Sequence, residues 1–503
     1  MNRINRSVLI ARAAAGLIGW ATLTAAAQTD SGVAAVVGWW SAQASHGGEQ
    51  TEIVIHLAED NGKRSTLLTL PALGFWELPF GSFEVNGTQV TMPDLHFTLT
   101  HDPARQILQG TLSEDFVPVF KVPAEFHRID PRAKPAPTPW NHPRPTVFWE
   151  YQADGPVWAG IERDPSTGQL IVATDSGSAI ALDAQGHKVW SVATGGKIRA
   201  QPTIVGQHVY VSSDDGFLYK LDKHDGKTMW RAKIVNGGKP RLEFGDKEFR
   251  WDRYGSAVAT DGPRVYVGSR DGNVYALAAA DGREIWRAQA QDMITGTPAV
   301  HGGKVIYNSY DKHVYAVDAR DGSLKWKRDL LGELPSDVVI AGQLALIGSR
   351  AYELNAVDLT DGQVRWHHYV WFSWIESPPN VRDDIAYFGT SDALKLFAFE
   401  VASGRKAWER PLPGWSWSRP AVSEQRVFAA VVGAKAYSAP RDGAFVAVNR
   451  SSGAIEWLYP VAPVEGAKQW GFGASPALSE TAVYAADLTG RVFAFATGEP
   501  DPW

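Results

Sequence analysis

Apolar and polar residues alternate along most of this chain in short runs separated by Gly-containing turns, the period-two pattern of half-buried strands. One stretch shows the rhythm plainly, with runs at Thr297–Val300, Lys304–Asn308, His313–Asp318 and Leu324–Trp326. The same phrase recurs elsewhere: an apolar strand, a Gly turn, then a short strand ending in Trp. It reads YKLDKHDGKTMW at Tyr219–Trp230, YALAAADGREIW at Tyr275–Trp286 and YAVDARDGSLKW at Tyr315–Trp326. The closing tryptophans are Trp149, Trp190, Trp230, Trp286, Trp326, Trp366, Trp408 and Trp457, mostly about forty residues apart. Four short strands repeated at that period predict a β-propeller, and eight such Trp predict eight blades. The ends fit together. Val147–Gln152 has a Trp-bearing outer strand and no blade before it, while Gly473–Thr497 supplies three strands and no fourth. Pairing them closes the ring and removes the open sheet edges.

Residues 35–128 lack this period. Alternating runs at Thr51–Leu57, Ser65–Leu70, Phe75–Val85, Thr88–Met92, Leu95–Thr100, Ile107–Leu112 and Val117–Val122 predict a small antiparallel barrel or sandwich. Asp60-Asn61-Gly62, Asn86-Gly87 and Asp102-Pro103 mark its turns. Between the two parts runs Pro131–Pro145 (PRAKPAPTPWNHPRP), whose proline density forbids helix and sheet and favours an extended spacer. The expected organisation is a signal peptide at 1–27, a β domain at 35–128, a Pro-rich linker at 129–146 and a propeller at 147–503, with strand 147–152 completing the last blade.

The phrases VYALxxxDGxxxW (Val274–Trp286) and VYVGSxDGxVYAL (Val265–Leu277) resemble the quinoprotein-type, PQQ-like propeller repeat. The resemblance implies an all-β fold: an eight-bladed PQQ-like β-propeller preceded by the small β-barrel or sandwich. The family holds PQQ-dependent dehydrogenases and a non-enzymatic lipoprotein propeller of outer-membrane protein assembly. This chain resembles the assembly factor more closely in repeat length and blade count, but has no lipidation Cys and carries the extra β domain.

Composition narrows the partners. A net charge of −6 with no basic run argues against nucleic acid. Arg3, Arg6 and Arg12, then apolar Ala13–Thr24, then Ala25-Ala26-Ala27, read as a secretory signal too short to span a bilayer. No other segment is apolar enough to span one, so no integral membrane segment is expected after cleavage. Cysteine is absent, so stability comes from packing without disulfides, which fits a bacterial periplasm or bacterial secretion.

Candidate chemistry lies in the connections. The eight period-setting Trp are structural, each docking an outer strand on a neighbouring blade. Trp158, Trp251, Trp371, Trp374, Trp415, Trp417 and Trp470 instead fall between one blade's outer strand and the next blade's inner strand. In a propeller those connections open on one face around the central channel. The long insertions Asn236–Asp252, Val461–Phe472 and Gly433–Asp442 belong to the same face. Arg199, Arg253, Glu333, Glu376 and Arg419 each stand just before an inner strand. The candidate ligand-binding set is Trp158, Arg199, Arg253, Trp374, Glu376, Trp417, Arg419 and Trp470, an aromatic-lined concavity with convergent charges. The competing reading is that these side chains plug the channel with packing and salt bridges.

Asp225-Gly226, Asp281-Gly282, Asp321-Gly322 and Asp361-Gly362 read as hairpin turns, not metal ligands. His96, His101 and His127 fit no hydrolase motif. The expectation is a binding or scaffolding protein, without cofactor or metal, that takes a protein, peptide or glycan. The alternative implied by the resemblance is a PQQ- and calcium-dependent dehydrogenase of alcohols or sugars, with Arg199, Arg253, Trp417, Trp470 and Glu376 around the quinone. That alternative lacks the adjacent Cys pair of the alcohol-oxidising members and a clear calcium-ligand set, and its propellers are longer.

Overall fold

The computed structural model describes residues 31–114, 117–136, 140–235, 239–243, 252–435 and 441–498. The expected signal peptide at 1–27, Trp251, and parts of the insertions 236–252 and 433–442 lie outside the described residues. The chain divides into two compact units, the first essentially the N-terminal part through Pro139 and the second beginning at Trp140.

The first unit is one antiparallel sheet of nine strands: β1 (Gly38–His46), β2 (Glu49–Asp60), β3 (Lys63–Leu70), β4 (Phe75–Pro79), β5 (Glu84–Asn86), β6 (Gln89–Met92), β7 (Phe97–Asp102), β8 (Ile107–Glu114) and β9 (Val117–Ile129). Their spatial order is β4-β3-β2-β1-β9-β8-β7-β6-β5, so β1 and β9 join two meanders in one curled sheet. The strand rhythm predicted from sequence omitted β1, although its buried Trp40, Ala42 and Ala44 alternate with polar residues, and ran β4 and β5 together. A short helix, Ser31–Val36, precedes the sheet and buries Val33 and Val36. Trp40, fully buried, donates its indole N–H to the Val36 carbonyl at 2.8 Å. The Arg128 guanidinium lies 4.5 Å from the Trp40 ring centre and donates to the carbonyls of Ala35 and Val37, both at 2.7 Å. The helix end is thus capped by a cation, where its unpaired carbonyls need donors.

The second unit holds eight antiparallel blades of four strands each, and in blade seven a fifth strand, Gln469–Gly471, pairs with residues 432–434. Blades one to seven begin at Glu162, Thr203, Val258, Ala299, Val339, Asn380 and Ala421. The eighth joins Ala477–Leu478, Ala482–Ala486 and Arg491–Ala496 to Val147–Gln152 as its outer strand. The repeated phrase has a physical cause. Seven of the eight period-setting indoles donate their N–H to a backbone carbonyl in the following blade, among them Trp149 to Ala184 at 3.1 Å, Trp190 to Lys223 at 2.8 Å, Trp286 to Ala319 at 3.0 Å and Trp366 to Val401 at 2.8 Å. Trp230, Trp326 and Trp408 repeat the bond to Ala279, Leu359 and Arg450. The Trp457 indole N–H finds no acceptor among the described residues; in the blade it faces, the third and fourth strands are not joined by the hairpin turn found in the others. Apolar clusters fill every blade interface, as where Trp190 packs with Val209, Val211 and Leu221.

The last residues of the expected linker are bonded to blades. Leu458 N–H, in blade seven's outer strand, donates to the Pro143 carbonyl, and Ala496 N–H to the Thr146 carbonyl, each at 2.9 Å. Trp140 packs against the cluster formed by Leu412, Val446 and Leu458.

Candidate functional site

Two sets of connections meet at the channel. One runs from each outer strand to the next inner strand, and the other joins the two middle strands of a blade. Their side chains touch: Arg350, after blade five's second strand, meets Glu376, which leads into blade six, at 2.7 Å. Asp175, after blade one's second strand, grips Arg199, which leads into blade two, with one contact at 2.5 Å. Contacts of this kind put both sets of connections at one mouth.

At its centre is a buried ion network. Glu376, 1% exposed, accepts from Arg350 at 2.7 Å and from Arg253 at 2.9 Å. Arg350 in turn reaches Glu333 at 2.9 Å. Arg253 leads into blade three, so its bond to Glu376 spans the channel. Burial alone would raise the Glu376 pKa; the charges of Arg350 and Arg253 outweigh it and hold the carboxyl below its ordinary value. Burial also pushes the Tyr254 hydroxyl well above its usual range, so it stays neutral beside Arg253.

The indoles serve these cations. The Arg253 guanidinium sits 3.8 Å from the Trp417 ring centre, and Trp415 stacks on Trp417 at 4.7 Å and 18°. Two partners that close cannot share one face, so both faces of Trp417 are covered. Arg350 lies 4.3 Å from the Trp374 ring centre and Arg199 lies 5.3 Å from that of Trp158. Against Trp158 also packs Gly473, where a Cβ would meet the ring at 2.7 Å. The mouth is a set of cation–π pairs.

Two spaces remain. A narrow one of about 50 Å³ is lined by Trp158, Arg199, Arg253, Trp417, Thr297 and Asp337. A groove of about 340 Å³ is bounded by Trp158, Asp175, Arg199, Glu243, Arg253 and Lys468. Of the residues expected from sequence, the structure brings together Arg253, Glu376 and Trp417, attaches Trp374 through Arg350, and sets Trp158 and Arg199 alongside. Arg419 is not bonded to that network; it pairs with Asp337, on the wall of the narrow space, at 3.1 Å. Trp470 is outside the cluster, buried among Trp457, Phe472 and Phe445 in the packing between blades seven and eight.

Sequence reasoning missed Arg350, Asp175, Tyr254 and Tyr310, whose ring centre lies 5.3 Å from the Arg350 guanidinium. A signal was available for three of them. Aligning the repeats on the Ser or Thr that follows each second strand puts Asp175, Asp214, Arg270, Tyr310 and Arg350 at one position, a row that changes chemistry from blade to blade.

Cast as a quinone site, these residues do not fit. No Trp417 face is left for a planar ligand, Glu376 is locked between two arginines, and Trp470 is elsewhere. Among the described residues, no cluster of three or more His, Asp or Glu is placed to hold a metal ion.

The eight blades, the Trp–carbonyl locks and the charge-filled mouth define a β-propeller of the PQQ-like repeat class. The profile described as outer membrane protein assembly factor BamB matches residues 144–243, 244–372 and 370–499, and the chain belongs to that family. BamB of Burkholderia pseudomallei is 32% identical over 121 residues, 24% of this chain and 27% of that protein. BamB of Xanthomonas campestris is 30% identical over 116 residues, 22% of this chain and 27% of that protein. These alignments span about a quarter of the curated relatives' length. Among solved structures, BamB from Moraxella catarrhalis superposes with a TM-score of 0.52 at 17% identity, over 71% of this chain and 99% of that one. The quinohemoprotein alcohol dehydrogenase from Comamonas testosteroni gives 0.53 at 14% identity, over 71% and 77%. At such identities the likeness is one of fold. No helix among the described residues is long and apolar enough to cross a membrane.

Proposed function

We propose that this protein is an exported, periplasmic propeller scaffold that holds a protein partner at its channel mouth and serves outer-membrane protein assembly without catalysing a reaction. One observation supports a protein or peptide over a glycan or quinone: the Trp417 faces are taken by Arg253 and Trp415. Sugars and planar cofactors are gripped through open aromatic faces. A mouth whose indoles are spent on arginines offers charged edges instead, and Glu243 and Lys468 bound the 340 Å³ groove with opposite signs. Such edges suit the mixed charges and backbone amides of a polypeptide. The family membership supports the assembly role, and the Arg-rich, apolar start of the chain supports export.

The test is site-specific photo-crosslinking from position 468 in the periplasm of a Gram-negative host. A discrete adduct with an outer-membrane assembly component, lost in Glu243→Lys, supports the reading. No adduct, with the protein correctly exported, overturns it. A separate titration with PQQ and Ca²⁺ gives no shift in quinone absorbance; saturable binding with dye reduction by an alcohol would replace the scaffold with an oxidoreductase.

A further inference from the structure

A second recess lies away from the mouth. Blade seven's outer strand, Ile455–Val461, is covered along part of its free edge by the chain's own Trp140–Thr146 strap, through the Leu458-to-Pro143 bond and the packing of Trp140. Beside the strap opens a cleft of about 560 Å³, lined by Trp140, Arg144, Pro413, Tyr459, Pro460 and Pro463, among others. That volume is in the range of ligand sites, and its thirteen lining residues include two aromatics and three prolines, with Arg144, Asp442 and Arg491 as the charged ones.

The edge chemistry decides what fits. In an antiparallel strand alternate residues turn both N–H and C=O outward. Leu458 is outward, because its N–H reaches Pro143, so Pro460 is outward too. The Leu458 donor is already used and Pro460 has none. From Leu458 to Pro460 an added β-strand would find no free donor. A polyproline II chain needs no such ladder, since its backbone makes no internal or sheet hydrogen bonds, and it docks on aromatic grooves with a few side-chain donors. Trp140 supplies a half-buried indole wall with one N–H, Tyr459, whose ring already packs on Phe493 and Phe495, adds its hydroxyl, and the exposed Arg144 adds a guanidinium for peptide carbonyls. The chain itself already lays a proline-bracketed segment, Pro143-Arg144-Pro145, on this strand, and the cleft continues that contact.

We propose that the blade-seven cleft binds a proline-rich, polyproline II segment of a partner protein, independently of the channel mouth. The test is fluorescence anisotropy of a labelled oligo(Ala-Pro) peptide titrated with the full mature chain, against a Gly-Ser peptide of the same length. The expected result is a saturable rise for Ala-Pro and none for Gly-Ser. Ala462 is exposed at the cleft, so Ala462→Trp fills it from outside the core. That variant weakens binding about tenfold or more with an unchanged thermal midpoint, and Arg144→Ala weakens it less. Equal binding of the two peptides, no saturable binding, or full affinity in Ala462→Trp overturns the proposal. A concentration-dependent dimer dispersed by Ala462→Trp would assign the cleft to a second copy of this chain and overturn it equally.

Discussion

The indole of Trp190 rests on Gly226 of the next blade, so closely that a Cβ built on Gly226 would lie 2.7 Å from the ring. Gly226 also has φ 74°, the left-handed conformation its turn requires. The Asp-Gly turn and the Trp, 36 residues apart here, are therefore two halves of one blade-to-blade lock. Gly206 provides the comparison: φ 60° and nothing near its missing Cβ. Gly206→Ala is expected to cost only the left-handed conformation, about 1 kcal/mol. Gly226→Ala adds overpacking of about 1–3 kcal/mol. Urea unfolding of the two variants side by side measures the difference, and equal midpoints would show that the turn alone selects glycine.

Trp140 tests whether the strap belongs to the propeller. Its ring is half-buried against Leu412, Val446 and Leu458. Full truncation of a core Trp costs roughly 3–5 kcal/mol, so Trp140→Ala should cost about 2 kcal/mol. Pro143→Ala keeps the carbonyl that Leu458 uses and should cost little. A Trp140→Ala protein with an unaltered urea midpoint would make the strap a bystander.

The blades were legible in the sequence because one geometric unit repeats, so each Trp, Asp-Gly pair and apolar run confirms the others. The nine-stranded sheet was legible only as a strand rhythm. Its order depends on β1 joining two meanders, and β1 pairs with the distant β9 at Trp39–Ser41. No local pattern encodes such a partner. At the mouth, position in the repeat placed Arg253, Glu376 and Trp417 correctly at the channel. It did not show that Arg350 would arrive from a middle-strand turn to hold Glu376, because that contact joins residues whose neighbours in sequence look like ordinary turns. Trp470 shared the loop position of Trp417 yet went into packing, since Gly433 and Gly443 leave room beside it for the indole.

Glu376 sets a balance of charges at the buried mouth. Glu376→Gln keeps the shape but removes the charge that Arg253 and Arg350 share, leaving Arg350 only Glu333, a loss of about 3–5 kcal/mol for breaking a buried pair. The pH dependence follows the same logic. The folded carboxyl titrates below its ordinary value of 4.5, so its contribution is fully present above that pH. It is lost as pH falls from about 4.5 through the folded-state value. Urea midpoints taken between neutral and acid pH should fall in the wild type, with a shallower fall in Glu376→Gln. Parallel curves would remove Glu376 from the acid response.

His101 supplies the opposite kind of sensitivity in the N-terminal sheet. It is buried edge-on to Trp40, with ring centres 6.2 Å apart at 80°. Burial lowers its pKa, the Arg128 charge lowers it further, and Asp102 only partly offsets them. A histidine whose folded pKa lies below 6.5 must be neutral to stay in place, while the unfolded chain takes up a proton near 6.5. Stability of this unit therefore holds above pH 6.5 and declines as pH falls toward the folded-state value. His101→Leu removes the titrating group while keeping an apolar side chain beside Trp40. Its urea midpoint should be flatter than the wild type's between about pH 5 and 7. Because Arg128 also holds the Ser31–Val36 helix through Ala35 and Val37, protonated His101 would place a second cation beside that clasp. Protection of the helix amides from hydrogen exchange should fall over the same interval in the wild type and not in the variant. If helix protection is unchanged in both, the histidine's effect stays within the sheet.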